Sequence, residues 1–147
     1  MSDDKYDLVS KLTPEEKQRG EFSLRCISPD DGKYGKPSKK LVDYLTPEAE
    51  WKACVLVQRT LLEARIEFGQ ADKKNLDELD AAIPKINPLN ISLLEEDKNI
   101  MHDQLAVLAE IGRYVSPETK SLLHPGTTSY DILDTARSYL FKKAWND

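Results

Sequence analysis

Residues 46–69 of the chain read TPEAEWKACVLVQRTLLEARIEFG, a stretch with a strong helical pattern. Thr46 suits the N-cap, Pro47 suits the first helical position, and the acidic residues that follow favour the positive end of the helix dipole. We expect the helix to run to about Phe68, because Gly69 is placed to end it in a left-handed conformation. Apolar residues recur along the stretch at helical spacing and predict one buried face: Trp51, Cys54, Val55, Leu61, Leu62 and Ile66.

Further helical patterns follow this stretch and predict an all-α domain. One pattern fits Asp72–Ile83, after which prolines interrupt it. Another begins at Ser92, where Ser-Leu-Leu-Glu matches a capping box, and we expect a break in it near Asn99. The last helix spans about Tyr130–Trp145, and its apolar residues wrap too widely for a single surface stripe. This helix therefore needs packing partners on two sides.

The amino-terminal segment, residues 1–27, is interpreted as an irregular arm because it is poor in helical periodicity. Thr13 can cap a short helix within it, and Gly20 is expected to stop that helix. Residues 22–27 are expected to be extended.

Composition excludes several classes of function. The chain has 147 residues, of which 39% are hydrophobic and 32% are charged, as is typical of one globular domain. Its formal net charge of -5 gives no general attraction to nucleic acid or anionic lipid. The sequence has no long apolar run and no signal-peptide pattern, so we expect a cytoplasmic protein without a membrane partner. Cys26 and Cys54 lack a CxxC or nearby His pattern, so neither a disulfide framework nor a metal site is expected.

One candidate site is the turn His124-Pro-Gly-Thr-Thr-Ser129 ahead of the last helix. It places hydroxyls and backbone N–H groups at a helix N-terminus, where a carboxylate or phosphate can bind. Composition alone favours the plainer interpretation that Thr128 or Ser129 is simply the N-cap.

Two further motifs could carry chemistry. His102 stands beside Asp103, which could orient the imidazole for proton transfer, although a lone His on a helix is more often a packing or surface residue. Lys33 and Tyr34, with more lysines close behind, could bind a phosphate or form a solvated basic patch.

The three motifs occur in one order, which resembles the amino-terminal domain of the adenylosuccinate lyase family in the fumarase and aspartase superfamily. The motifs are SPDDGKY at 28–34, EDKNIMHD at 96–103 and HPGTTSYD at 124–131, the last followed closely by Asp134-Thr-Ala. The resemblance covers about residues 27–147.

The resemblance implies a division of the chain into three parts. Residues 1–27 form the arm, residues 28–128 form the amino-terminal helical lyase domain, and residues 129–147 begin the central helical bundle of the superfamily. Seven residues are implied to bind substrate: Lys33 and Tyr34 at its phosphate, Met101, His102 and Asp103 in its pocket, and Thr128 and Ser129 at a carboxylate. His102 is also implied to orient the substrate and to assist proton transfer.

The implied activity is elimination of fumarate from adenylosuccinate, giving AMP, and from SAICAR, giving AICAR, in purine biosynthesis. No metal or redox cofactor is implied, and the small-molecule partners are adenylosuccinate, AMP and fumarate. The family builds its sites in a homotetramer. Its general-acid His and its Gly-Ser-Ser loop do not occur in this chain, so we expect an amino-terminal part that is inactive alone.

Two alternatives stay open. The chain could be a helical interaction module without chemistry, which binds a partner through the apolar face of its last helix. It could also belong to a related lyase that acts on another succinyl or carboxylate substrate.

Overall fold

The computed structural model describes residues 4–28, 31 and 39–146. Over these ranges the chain forms eight α-helices and no β-strand, so the predicted all-α class is confirmed. The helices are α1 (Pro14–Leu24), α2 (Lys39–Leu45), α3 (Pro47–Glu67), α4 (Lys73–Ala82), α5 (Pro88–Glu96), α6 (Asp103–Ile111), α7 (Pro117–Leu122) and α8 (Ser129–Asn146). Short 3-10 turns at Asp4–Tyr6, Val9–Lys11 and Ile83–Lys85 complete the described backbone.

Helix α3 is the central element and forms as the sequence predicts. The Thr46 hydroxyl accepts a hydrogen bond from the backbone N–H of Ala49 at 3.3 Å, which caps the first turn. Beyond the other end, Gly69 takes a φ of 69°, the left-handed conformation that a glycine adopts without a Cβ clash. The helix packs most extensively along α8 and also contacts α2, α4, α5 and α6.

The hydrophobic core surrounds α3 on the side that its apolar spacing predicts. Buried side chains from the other helices close over this face. The members with no exposed surface are Cys54 and Leu62 of α3, Leu79 of α4, Ile91 of α5, Ala106, Val107 and Ile111 of α6, and Ile132 and Ala136 of α8. At about 25 cal/mol per Å² of buried apolar area, this shared core is the dominant stabilising contribution.

Helix α5 begins four residues earlier than predicted. Asn87 is its N-cap, with the side-chain oxygen accepting from the Leu89 N–H at 3.0 Å, and Pro88 takes the first helical position. The Glu110 carboxylate accepts from the Asn87 N–H at 2.9 Å and fixes this cap from a different helix. Ser92 therefore lies inside α5, and the capping box predicted there is wrong. The predicted break near Asn99 is confirmed, because α5 ends at Glu96.

The amino-terminal segment is more helical than predicted. Thr13 and Glu16 form a reciprocal capping box, which confirms the predicted helix start. Helix α1 then continues through Gly20 to Leu24, so the predicted stop at Gly20 is wrong, and so is the extended conformation expected from residue 22, because residues 22–24 are helical. A Cβ at Gly20 would lie 2.6 Å from Cδ1 of Leu89, so this glycine permits close packing of α1 on α5 rather than ending the helix.

A buried polar network ties the amino-terminal segment to the core. The Asn90 side-chain oxygen accepts from the N–H groups of Leu8 and Val9 at 2.9 and 3.2 Å, and its amide nitrogen donates to the Tyr6 carbonyl at 2.7 Å. The same amide donates to Glu110, whose carboxylate also pairs with Arg113 at 2.8 Å. Asn90 and Glu110 are fully buried, so each depends on these partners.

Within the part of the chain that the structure describes, none of the helices combines the length and the apolar character that a membrane crossing requires.

Replacing Asn90 by Ala should destabilise the fold by about 2–3 kcal/mol, because it removes four hydrogen bonds and leaves the backbone N–H groups of Leu8 and Val9 without their acceptor. Urea unfolding measures the loss, and hydrogen exchange at the amides of Leu8 and Val9 should accelerate. Asn99→Ala, at an exposed asparagine, is the matched control and should stay within about 0.5 kcal/mol of the parent. Equal stability of the two variants would contradict the role of Asn90.

Candidate binding cleft at the ends of three helices

An open cleft of about 470 Å³ forms where the end of α5 meets the N-termini of α6 and α8. Four of the sequence-predicted site residues, Met101, His102, Asp103 and Ser129, lie in this one place. The cleft is lined by Glu95, Glu96, Met101, His102, Asp103, Ser129 and Tyr130. The fold thus brings together residues of the second and third motifs that lie about two dozen positions apart in sequence.

His102 is the N-cap of α6, and this role orients its ring. Its Nδ1 accepts a hydrogen bond from the Leu105 backbone N–H at 3.3 Å. In the neutral imidazole the proton consequently belongs on Nε2, which lies 3.3 Å from the Ser129 Oγ. This tautomer is assigned from the hydrogen-bond pattern. Both ring nitrogens are therefore engaged, one in capping and one toward the N-terminus of α8.

Ser129 links the two helix ends. It is the first residue of α8, and its hydroxyl donates to Oδ1 of Asp103 at 2.8 Å. The same Asp103 oxygen accepts from the Gln104 backbone N–H. His102, Ser129 and Asp103 thus form a short hydrogen-bonded relay. Oδ1 of Asp103 also lies 3.1 Å from Nδ1 of His102. The arrangement still differs from a nucleophilic triad, because the carboxylate accepts directly from the serine hydroxyl.

Thr128 lies immediately before α8 and is exposed. Its backbone N–H donates to the Asp131 carboxylate at 2.8 Å, which caps the helix from inside the first turn. Thr128 is not one of the residues that line the cleft. Lys33 and Tyr34, the residues predicted to bind phosphate, lie outside the residues that the structure describes.

Backbone strain flanks the cleft. Among the described residues, the non-glycine positions with positive φ are Met101, at 42°, and His124, at 70°. Met101 directly precedes the His102 cap and is 73% exposed, and His124 opens the turn that leads to Ser129. Such conformations cost about 1–3 kcal/mol each and gather where surrounding structure imposes a geometry. Here both set the direction in which the chain enters a helix N-terminus of the cleft.

His124 is a residue that motif reading left out of the site, although it opens the third motif. Its Nδ1 lies 3.2 Å from Gln58 Nε2 and 3.0 Å from Thr127 Oγ1. Gln58 also donates to the Gln104 side chain at 3.4 Å, directly behind the cleft. Burial and the nearby His102 lower the pKa of His124 below its ordinary 6.5, while Asp103 and Asp131 act in the opposite direction.

Glu95 is the second residue that the sequence did not reveal, because it was interpreted as part of a capping box. It lies near the end of α5, half-buried, on the wall of the cleft. Burial raises the pKa of its carboxyl, and the negative charges of Asp103, Glu96 and Glu50 add to the effect.

No group of three or more potential metal ligands occurs among the described residues. The side chains that line the cleft offer oxygen acceptors, hydroxyls and one imidazole, which suits hydrogen bonding to a small polar ligand.

Comparison with known proteins gives a consistent set of relatives. The chain is 29% identical over 120 residues to adenylosuccinate lyase of Methanocaldococcus jannaschii, a match that covers 81% of this chain and 25% of that protein. It is 31% identical over 113 residues to adenylosuccinate lyase of Bacillus subtilis, a match that covers 76% of this chain and 25% of that protein. The Synechocystis enzyme of the same name is 34% identical over 80 residues, a match that covers 54% of this chain and 18% of that protein. The chain thus spans about a quarter of the length of the first of these relatives. No protein-family model matches the chain, and no solved structure matches it significantly.

His124 should titrate below 6.5 in the folded protein, and proton NMR of its ring resonances measures this. Because the folded pKa is lowered, the stabilising effect is complete above the unfolded pKa and is lost as the pH falls through the folded one. His102→Ala should raise the His124 pKa by removing a like charge, whereas Asp103→Asn should lower it further. A His124 pKa at or above 6.5 would contradict the burial assigned here.

Proposed function

We propose that this chain, which is similar to adenylosuccinate lyases over most of its length, supplies substrate-binding groups to the active site of such a lyase of the fumarase and aspartase superfamily. The proposed reaction releases fumarate from adenylosuccinate, giving AMP, and from SAICAR, giving AICAR. The relatives are about four times longer than the matched segment, so we propose that the general acid and the catalytic loop come from outside these 147 residues.

The observation that carries this proposal is the hydrogen-bonded relay of His102, Ser129 and Asp103. These residues come from the two motifs that the resemblance assigns to the substrate pocket, and they meet on one cleft wall. If each of these residues were only a helix cap or a surface side chain, nothing would require the three side chains to lie together.

A substrate carboxylate is proposed to bind at the N-terminus of α8. The backbone N–H groups of the first helical turn lack intrahelical acceptors, and the helix dipole favours a negative charge there. Ser129 contributes its hydroxyl once the proton turns from Asp103 toward the substrate, and Nε2 of His102 can then donate to the Ser129 oxygen. Thr128 is proposed to assist from the preceding position.

This geometry suits an elimination. A base removes the proton beside the succinyl carboxylate, the C–N bond breaks, and the nitrogen of the leaving AMP gains a proton. Negative charge grows on the carboxylate before the bond breaks, so donors at the α8 N-terminus stabilise the transition state more than the ground state. Lys33 and Tyr34 are proposed to bind the phosphate, and His102 to orient the substrate.

A second candidate function, binding to another protein chain, is favoured by the exposed aromatic side chains of α8. Trp145 is 90% exposed, Phe141 63% and Tyr139 39%. This surface fits the helix-bundle homotetramer that the resemblance implies, and it fits an interaction module equally well. Leu140, in contrast, is 8% exposed and packs in the core, so it does not belong to this surface.

Adenylosuccinate should bind the 147-residue chain and shift the backbone amide resonances of Leu105, Ser129 and Tyr130 in ¹⁵N NMR spectra. Ser129→Ala should weaken this binding about 10- to 100-fold, the value of one hydrogen bond to a charged group. Ser121→Ala, at an exposed hydroxyl of α7, is the matched control and should leave the affinity unchanged. Lys33→Ala should weaken AMP binding without affecting fumarate. Shifts confined to residues away from the cleft would rule out the proposed site.

Trp145→Asp should reduce self-association of the chain, because a charge replaces an exposed indole on the surface of α8. Sedimentation velocity measures the change. Phe68→Asp, which alters another strongly exposed aromatic residue after the end of α3, should leave association unchanged. A parent chain that stays monomeric at high concentration would remove the interaction role from this surface.

A further inference from the structure

The side chain of Gln58 in α3 carries a buried polar atom without a partner. Its Oε1 is one of two side-chain atoms in the described ranges that are buried and lack a hydrogen-bond partner, and the residue has no exposed surface. A buried acceptor without a donor is unfavourable, and in native proteins such groups are few and tend to have a specific reason. The contacts of the other amide atom, Nε2, supply that reason.

The amide nitrogen of Gln58 faces two acceptors. Nε2 lies 3.2 Å from Nδ1 of His124 and donates to Oε1 of Gln104 at 3.4 Å. The Gln104 amide is oriented in turn, because its own nitrogen donates to the Cys54 sulfur at 3.6 Å. Both protons of the Gln58 amide are therefore directed at acceptors, and the oxygen is left on the side that offers no donor.

The opposite orientation of the Gln58 amide is less favourable. It would place Oε1 toward His124 and the ring proton on Nδ1, but the Gln58 and Gln104 oxygens would then face each other unless Gln104 turned as well. The Gln58 nitrogen would lose its acceptors, and among backbone groups a buried orphan N–H is rarer than an under-satisfied oxygen. Thr127 does not require a proton on Nδ1, because its hydroxyl lies 3.0 Å away and already donates to the His124 carbonyl at 2.6 Å.

We propose that Gln58 is a positioning residue that holds His124 neutral with its proton on Nε2, so that the ring serves the cleft as a hydrogen-bond donor and not as a base. With Nδ1 occupied by the Gln58 N–H, the neutral imidazole has no second lone pair with which to remove a proton. Protonation would turn Nδ1 into a donor that faces the Gln58 donor, so the contact also opposes the charged form. The use of the ring in the cleft rests on the proposed function, whereas the tautomer is a property of the free chain.

The charged groups that act on His124 come from the helix ends of the cleft. His102 and Asp103 belong to the start of α6, and Asp131 belongs to the first turn of α8. Burial and His102 lower the pKa of His124, and the two carboxylates raise it. These groups favour or oppose the charge of the ring, whereas Gln58 contacts one nitrogen and determines which of the two carries the proton.

Nitrogen-15 NMR of the free chain shows which ring nitrogen is protonated. At pH 8 we expect Nδ1 of His124 to be unprotonated and Nε2 to be protonated, with the signals assigned by their absence from His124→Asn. Gln58→Glu places a charged acceptor opposite Nδ1, so the proton should move to Nδ1 and the pKa of His124 should rise. Gln58→Met, which has similar length but no donor, should raise the Nδ1–H population through donation to Thr127. Gln18→Glu, at an exposed glutamine of α1, is the matched control and should change neither quantity.

Two results would overturn the role of Gln58. One is a proton on Nδ1 of His124 in the parent chain, because the Gln58 amide would then accept from the ring. The other is an unchanged tautomer in the folded Gln58 variants, because the ring would then be fixed without this contact. If Gln58→Glu does not fold, the parent and Gln58→Met decide the matter. No ligand is used, so failure of adenylosuccinate to bind would contradict the proposed function and leave this result as it stands.

Discussion

The burial of one face of α3 is the constraint on which the rest of the structure depends. A helix of 21 residues cannot hide an apolar face by itself, so α4, α5, α6 and α8 close over it. Two bidentate pairs fix the orientation at the surface, Arg137 with Glu50 between α8 and α3, and Arg59 with Asp80 between α3 and α4. Such exposed pairs contribute little energy, and their value is geometric.

The cleft follows from this packing, because its walls are helix ends rather than loops. Once α6 and α8 are both docked on α3, the N-terminus of each lies beside the other, and Ser129 can reach Asp103 at 2.8 Å. Gln58 and Gln104 form a buried polar layer between α3 and α6 behind this contact. Side chains that are held by caps and buried amides lose little freedom on binding, which is the condition for a preorganised site.

Local sequence signals predicted the elements whose ends are fixed by neighbouring residues. Thr46, Pro47 and Gly69 define α3 by themselves, and Thr13 with Glu16 defines the start of α1. The local signals gave wrong predictions where a residue distant in sequence determines where a helix begins or ends. Ser92 and Glu95 match a capping box, but α5 begins at the Asn87 cap, which Glu110 stabilises from another helix. Gly20 was expected to end α1, but it lies inside the helix and allows close packing against Leu89. The resemblance of motifs predicted Met101, His102, Asp103 and Ser129 as site residues, and the fold brings them to one cleft. The place of Glu95 on the same wall could not be predicted, because it depends on how α5 packs against the N-termini of α6 and α8.

The acidity of the cleft is compatible with binding an anion. Net charge acts over long distances and is screened within about 10 Å at ordinary ionic strength, whereas backbone N–H groups and a helix dipole act at contact. A chain with a net charge of -5 therefore gains no attraction for an anion at a distance, so a carboxylate in the cleft would be recognised through contact with donors such as those at the α8 N-terminus. Acidic groups beside those donors then work against ligands that carry only negative charge.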